Sequence, residues 1–392
     1  MSAVAIKGWC PGALRPMRSG DGLVVRVRPH GGRLDAKQAA GIAALAERYG
    51  NGLIDLTSRA NLQIRGVSDQ GHRPLIEELS RLHLLDPDPE SEARRNILVT
   101  PFWSASDDTC FLAAELEQRL VMGPPGLPTK FGFAVDCGTE RALAGASADI
   151  RIERSIAGEL IVRADGAEHG RPVARSEAVK VALALAEWFV DFGGARDGRG
   201  RMAAHIGAGA KLPDALRGRA EPVRTIAEPR LGLYPQGAMV GAAFGQVTRA
   251  TLSYLAGCSP GLRMTPWRMI LAEELREMAH CEGLVTQADD PILRVVACPG
   301  APACREAYAD TRALAATLAQ HIAADERLHV SGCAKGCAHS GRAALTLVAA
   351  REGFDLVRGG STRDAPALRG LSAGRMIADP SVLTGRTDAA CL

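Results

Sequence analysis

Two segments, Arg294–Cys304 (R-V-V-A-C-P-G-A-P-A-C) and His329–Gly341 (H-V-S-G-C-A-K-G-C-A-H-S-G), decide how the rest of the chain is read. Cys298 and Cys304 have five residues between them, Cys333 and Cys337 have three, and 28 residues separate the pairs. Each pair follows a short apolar run with strand character, Leu293–Ala297 and Leu328–Val330. Gly, Pro and Ala around the sulfurs let backbone approach closely and leave amides available to them. The pattern predicts a metal centre built from turns at the ends of two neighbouring elements. Structural zinc sites usually draw on thiolates two to four residues apart; a five-residue gap is wide, and no histidine stands at zinc spacing beside it. An iron–sulfur cluster takes four thiolates and is tuned by nearby amides and by burial. A [4Fe–4S] cluster is therefore preferred over zinc. It is also preferred over the plainer reading in which free cysteines pack as small apolar side chains.

A chain of 392 residues is long enough for two or three domains with substantial cores. The formal charge of +3 is too small to point to nucleic acid. No apolar run approaches the ~20 residues needed to span a bilayer, and Met1–Cys10 lacks the apolar region and cleavage site of a signal peptide. Ten cysteines without a secretion signal favour a reducing compartment. A cytoplasmic protein, not membrane-bound, is expected. The other six cysteines (Cys10, Cys110, Cys137, Cys258, Cys281, Cys391) are scattered, and most are expected to be packing residues.

From the N-terminus, Leu23–Arg28 alternates as a strand and Asp35 can cap a helix over Ala36–Tyr49. Strands follow at Leu53–Thr57 and Asn61–Arg65, then a helix from about His72 to Leu84. The order is β-α-β-β-α, most of a ferredoxin-like unit. It returns as a strand at Ala238–Phe244, a helix at Thr248–Ala256, strands at Gly261–Thr265 and Trp267–Leu271, and a helix at Glu273–His280. Further pairs match downstream: Arg95–Pro101 against Leu293–Pro299, and Phe133–Cys137 against His329–Cys333. An internal duplication over roughly 200 residues accounts for the conserved order. Only the second copy carries both cysteine pairs. The expected organisation is a first ferredoxin-like unit at residues 1–90 and a cluster-free lobe at 91–225. A second ferredoxin-like unit follows at 226–290, a cluster-binding lobe at 291–360, and a loosely ordered tail at 361–392. Gly193–Pro229 reads as a surface loop and linker.

Arg59, Arg65, Arg95 and Lys130 each fall at a strand end or an adjoining turn, where binding groups gather. Guanidinium groups pair bidentately with carboxylates and oxyanions. An arginine follows an apolar-Thr pair in both units, at Arg59 and Arg268, while Asn61 and Gln63 share one strand face. Solvated surface charge is the plainer reading of each. A cluster beside a cationic cleft would suit one-electron chemistry on a polyanionic small molecule.

The order Leu-Thr-Ser-Arg-Ala-Asn-Leu-Gln (56–63), Arg-Asn-Ile (95–97), Pro-Thr-Lys-Phe (128–131), Cys-x5-Cys and Cys-x3-Cys resembles the sulfite and nitrite reductases built on a duplicated half. Within that superfamily, several stretches resemble the precorrin-3B synthases of aerobic cobalamin biosynthesis. They are Cys10-Pro11, Gly20-Asp21-Gly22-Leu23, Arg263–Arg268, Ala297–Cys304 and Ser331–His339. The resemblance runs from Trp9 to about Val348. It implies an α+β, internally duplicated fold and a [4Fe–4S] cluster on Cys298, Cys304, Cys333 and Cys337. It also implies a polycarboxylated tetrapyrrole, precorrin-3A, addressed by Arg59, Arg95 and Lys130, to which the strand-face and repeat readings add Asn61, Gln63 and Arg268. The reaction implied is O2-dependent: hydroxylation at C20 with closure of a γ-lactone. Reducing equivalents would come from NADH through a separate reductase, since no G-x-G-x-x-G follows a strand. The resemblance further implies a mononuclear non-haem iron. His339, His280 and Glu282 are candidates for a 2-His-1-carboxylate set, although packing or surface roles compete. Where sulfite reductases tend to carry Lys-Phe-Lys, this chain has Lys130-Phe131-Gly132. The alternative is a sirohaem-dependent sulfite or nitrite reductase.

Overall fold

The computed structural model describes residues 11–278, 280–339 and 341–384, so Cys10, Cys391 and the Gly8–Cys10 stretch lie outside it. The first half runs β1 (Met17–Arg18), β2 (Leu23–Val27), β3 (Arg33–Asp35), α1 (Ala36–Tyr49), β4 (Leu53–Leu56), β5 (Leu62–Val67) and α2 (Asp69–Arg81). Asp35 and Gln38 close a reciprocal capping box on α1, as the sequence predicts. Ser68 caps α2 and starts it three residues early, at Asp69 instead of His72. The first lobe comprises α3 (Pro89–Arg94), β6 (Ile97–Val99), α4 (Thr109–Leu120), β7 (Phe133–Asp136) and β8 (Ile150–Arg154). It ends with β9 (Leu160–Ala164), β10 (Arg171–Pro172), α5 (Arg175–Asp191) and α6 (Met202–Gly207).

The second half repeats the plan with β11 (Gly232–Tyr234), β12 (Gly237–Gly241), β13 (Gln246–Thr248), α7 (Arg249–Cys258), β14 (Gly261–Met264) and β15 (Met269–Glu273). Its lobe holds β16 (Val295–Ala297), α8 (Arg312–Leu318), β17 (Leu328–Ser331), β18 (Ala343–Ala350), β19 (Gly353–Gly360) and β20 (Leu368–Leu371). Two short helices, α9 (Ala373–Ala378) and α10 (Ser381–Thr384), close the described chain.

Both lobes contain a five-stranded sheet of one pattern. In β6–β10 and in β16–β20, the first three strands run parallel and the rest pair antiparallel. The two ferredoxin-like units exchange strands. β13 of the second unit pairs with β4 of the first, and β3 of the first pairs with β14 of the second. Each exchanged strand follows a tight turn whose middle residue has positive φ, Gly31 (58°) and Phe244 (57°). One apolar core runs through both units, from Val25, Leu34 and Ile54 to Val247, Leu252 and Leu262. The expected units at 1–90 and 226–290 are thus interlocked in space.

Four sequence expectations need correction. Residues 274–278 form no helix, because Glu274 turns at φ 61° and its amide donates to Gln236 O, while Leu275 and Met278 still pack on the core. Gly193–Pro229 is not a free linker: it contains α6, buries Met202, and bridges back at Gly170–Ala220, Ser155–Pro222 and Arg141–Thr225. The tail is ordered to Thr384, with β20 on β19 and Met376 buried in the lobe core. The match of Phe133–Cys137 to His329–Cys333 is one residue out of register. Ile97 pairs with Phe133 and Val295 with Leu328, so Val135 corresponds to Val330 and Cys137 to Gly332. A slip of one position exchanges the two faces of a strand.

Candidate functional site

Parallel strands β16 and β17 deliver the two cysteine pairs side by side, because both loops leave the same end of the sheet. Cys298 is buried, and its Sγ accepts from Gly332 N at 3.2 Å. A Cβ at Gly332 would come 2.6 Å from Ala307 Cβ and 3.4 Å from that sulfur, so glycine admits the close approach. Tyr308 N donates to Gly332 O (2.9 Å) and ties the loops together, while Thr311 Oγ1 donates to Cys298 O (2.5 Å). Partial burial raises the Cys337 thiol above its ordinary value, as do the neighbouring charges of Cys333, Cys298 and Cys304. Burial likewise raises Cys333, with Cys304 and Cys298 adding to it. For Cys333 and Cys337, shared positive charge would favour the thiolate over the thiol. The N–H···S bond and the glycine-lined approach fit an iron–sulfur cluster. Among the described residues no three His, Cys, Asp or Glu converge on a single-ion site.

In the first lobe the same positions hold no thiolates. Thr100 stands where Cys298 is, with the matching bond from its amide to Val135 O (3.0 Å, against 3.3 Å for Cys298 to Val330 O). By the strand register, Gly138 and Ala142 replace Cys333 and Cys337. The Asp136 carboxylate accepts from Ala142 N and Leu143 N at 2.7 and 2.8 Å, and burial pushes it up to about 6. Of the scattered cysteines that are described, only Cys137 is buried; Cys110 and Cys258 are exposed and Cys281 is half-buried, which corrects their assignment to packing.

Facing the cysteine loops is the polar side of the first ferredoxin-like sheet. Strand register sets Arg26, Gln63, Asp55 and Gln246 in one row across β2, β5, β4 and the exchanged β13. With its amide oxygen toward Arg26, Gln63 accepts from Arg26 Nη2 at 2.8 Å. Asp55 accepts from Arg65 Nη1 (3.2 Å), Gln246 Nε2 (2.8 Å) and Arg312 Nη2 (3.2 Å), the last from the start of α8. The corresponding row of the second sheet is Met239, Leu271, Arg263 and Arg33. There Met239 and Leu271 join an apolar cluster, and both arginines close on Glu273. The duplicated sheets have therefore diverged, and only the first offers a polar floor.

The predicted substrate residues separate. Arg59 Nη2 donates to Lys130 O (3.0 Å), which brings those two together, and Arg59, Asn61, Asn96 and Ser147 line one recess. Arg28 lies beside it, donating to Asn96 Oδ1 (2.8 Å), its pKa lowered to about 10 by burial and then by Arg26. Arg95 reaches the same recess, but its guanidinium is occupied by Asp86 (2.6 and 2.8 Å), Arg28 O and, at 3.6 Å, Glu117. It is a structural residue. Arg268 is not the counterpart of Arg59. Thr57–Asn61 and Thr265–Met269 are matching turns, so Arg268 (φ 59°) corresponds to Ala60 (φ 54°) and Trp267 to Arg59. Its half-buried side chain donates to Ala338 O (3.3 Å), next to Cys337 in the chain. His339 packs its ring against buried His329, centroids 5.8 Å apart, and does not converge with His280 and Glu282. Asp55, Gln246, Arg26, Arg28 and Arg312 escaped the sequence reading, because strand register, the exchanged β13 and the start of α8 bring them together from distant parts of the chain.

Comparison with known proteins bears on the fold and on what the chain is similar to. The nitrite/sulfite reductase ferredoxin-like half domain matches residues 15–82. The structure of the Mycobacterium tuberculosis NirA protein shares the fold, with a TM-score of 0.65 at 16% identity over 94% of this chain and 82% of that one. The chain is therefore built on the nitrite/sulfite reductase scaffold. Its particular resemblance is to precorrin-3B synthase: a protein of that name from Sinorhizobium sp is 29% identical over 92% of this chain and 84% of its own length. A ferredoxin–nitrite reductase from Synechococcus elongatus is 29% identical over 33% of this chain and 27% of its own length. No helix among the described residues is long and apolar enough to cross a membrane.

Proposed function

We propose that the chain is a precorrin-3B synthase. It hydroxylates precorrin-3A at C20 with one atom of O2, and a ring-A acetate closes the γ-lactone. The other oxygen atom leaves as water, with two electrons drawn ultimately from NADH through a separate reductase. The observation that carries the reading is the polar floor of Arg26, Gln63, Asp55 and Gln246 facing the cysteine loops, in a chain resembling a precorrin-3B synthase along most of its length. A [4Fe–4S] cluster on Cys298, Cys304, Cys333 and Cys337 would supply single-electron transfer beside that floor. Asp55 holds Arg65 and Arg312, and Asp86 holds Arg95. Arg59, bonded to the Lys130 carbonyl at one recess, Lys130 itself and Arg26 in the floor row address the carboxylates of the macrocycle, with Asn61 and Gln63 as neutral partners. Precorrin-3A carries many carboxylates around a flat ring and suits a broad polar floor with cations at its edge. Among the described residues no His, Cys, Asp and Glu set converges to hold a mononuclear iron.

The shared fold and the partial similarity to a nitrite reductase favour a second reading, a sirohaem-dependent reductase. Gly132 weighs against it. Its amide donates to Asp149 at 2.9 Å, and a Cβ there would sit 3.1 Å from Asn96 O, so the second lysine of Lys-Phe-Lys would need the backbone to move. Anaerobic purification with a spectrum and with iron, sulfide and zinc counts separates the readings. The synthase predicts iron together with acid-labile sulfide and weak, broad absorbance. An intense Soret band would establish the reductase, and zinc without sulfide a structural metal.

A further inference from the structure

The Ser19-Gly20-Asp21-Gly22 turn lies far from the cysteines in sequence but against them in space. Ser19 N donates to Gly22 O (2.7 Å), closing the turn. Three donors then converge on a single carbonyl, Ala303 O, in the residue before Cys304: Gly20 N at 3.0 Å, Ser19 Oγ at 2.6 Å and Arg65 Nη2 at 3.3 Å. Arg65 is buried and held from behind by Asp21 (2.9 and 2.8 Å) and Asp55 (3.2 Å). At Gly20 a Cβ would collide with Pro302 O and fall 3.0 Å from the Ala303 carbonyl carbon, so only glycine lets the turn lie flat on the loop. The loop's own amides do not satisfy this carbonyl, and Cys304 N is engaged with Gly300 O (2.7 Å). The other cysteine loop is held differently, by Arg268 at Ala338 O and by Thr362 at Ala334 O.

We propose that Ser19, Gly20 and Arg65 are positioning residues for Cys304: they clamp the Ala303 carbonyl and so fix where the Cys304 sulfur points. The clamp deepens the cluster reading above, which gives the fixed sulfur its use. Its geometry does not need the cluster to be present. Arg65 also donates to Asp55, so the clamp is continuous with the polar floor, and the cysteine loop and the substrate cleft share one rigid support.

The test uses full-length apoprotein and holoprotein of the wild type, Gly20→Ala, Ser19→Ala and Ser19→Thr, with circular dichroism and melting to establish folding. In the apoprotein, iodoacetamide labelling of each cysteine is followed by peptide mass spectrometry. Gly20→Ala should label Cys304 about fivefold faster, the scale of one or two lost hydrogen bonds. Ser19→Ala should show a smaller change in the same direction, Ser19→Thr should match the wild type, and Cys337 should be unaffected in all. In the holoprotein, a chelator should remove iron faster from Gly20→Ala than from the wild type. Unchanged labelling of Cys304 in Gly20→Ala, or equal acceleration of Cys304 and Cys337, would overturn the clamp. Wild-type protein without iron and sulfide, combined with selective acceleration at Cys304, would overturn the cluster and leave the clamp standing.

Discussion

Asp55 decides how many cations the cleft can offer. Its carboxylate ties down Arg65 and Arg312, and each of those guanidinium groups braces one side of the cysteine lobe. Arg59 lines the recess with Asn61, and its Nη2 donates to the Lys130 carbonyl. Arg59→Ala should therefore weaken macrocycle binding by about 1.5–3 kcal/mol, the worth of a charge-assisted hydrogen bond, with little change in melting. Titration with the tetrapyrrole checks this, and an unchanged affinity removes Arg59 from the site. A second residue makes its own claim. His329 is fully buried, neither ring nitrogen has a partner, and burial followed by the nearby His339 lowers it from 6.5 to about 4. A depressed pKa means that the unfolded chain takes up the proton first. The associated stability is complete above the unfolded value and disappears as pH falls from 6.5 toward 4. The loss is on the order of 3 kcal/mol. Denaturant melts of the wild type and His329→Gln across that range should show the wild type losing more; parallel curves would contradict the assignment. At this scale the cysteine pairs were legible because each pair is local in sequence. Arg95 is paired with nearby Asp86 and, at 3.6 Å, with Glu117 of α4, which its place beside a strand does not reveal.

Strand β3 is only Arg33-Leu34-Asp35, yet it completes a sheet belonging to the other half of the chain. Leu34 is fully buried in the shared core, so Leu34→Ala should cost about 2–5 kcal/mol, measured by urea unfolding. A loss below ~1 kcal/mol would mean that the exchanged strand is peripheral. Helix α1 could be read from sequence because Asp35, Gln38 and the apolar periodicity agree locally. The exchanged strands could not, since three residues carry no period and the partners lie some 200 positions away. The helix expected at Glu273–His280 failed for a related reason. Glu273 ends a strand as the shared partner of Arg33 and Arg263, and the positive φ at Glu274 breaks the chain direction that its apolar spacing suggested.

The whole molecule is a duplicated scaffold whose copies have taken different work. One lobe presents four cysteines and the other an aspartate, and one ferredoxin-like sheet presents a polar row where the other presents Met239 and Leu271. The duplication was visible in the order of elements, whereas the asymmetry between the sheets emerged only with the strand register. Because each half supplies a strand to the other, residues 11–225 expressed alone should be insoluble or unfolded, and co-expression with residues 226–384 should recover a folded pair. A well-folded first half alone would contradict the interlocked core.

The most direct measurement is turnover of precorrin-3A by the anaerobically purified protein, supplied with reductant and isotopically heavy O2, with the product's mass followed. One heavy oxygen atom should enter the macrocycle with the wild type and none with Cys333→Ser. A substrate left unchanged by iron-loaded wild type, or a product without the label, would contradict the account.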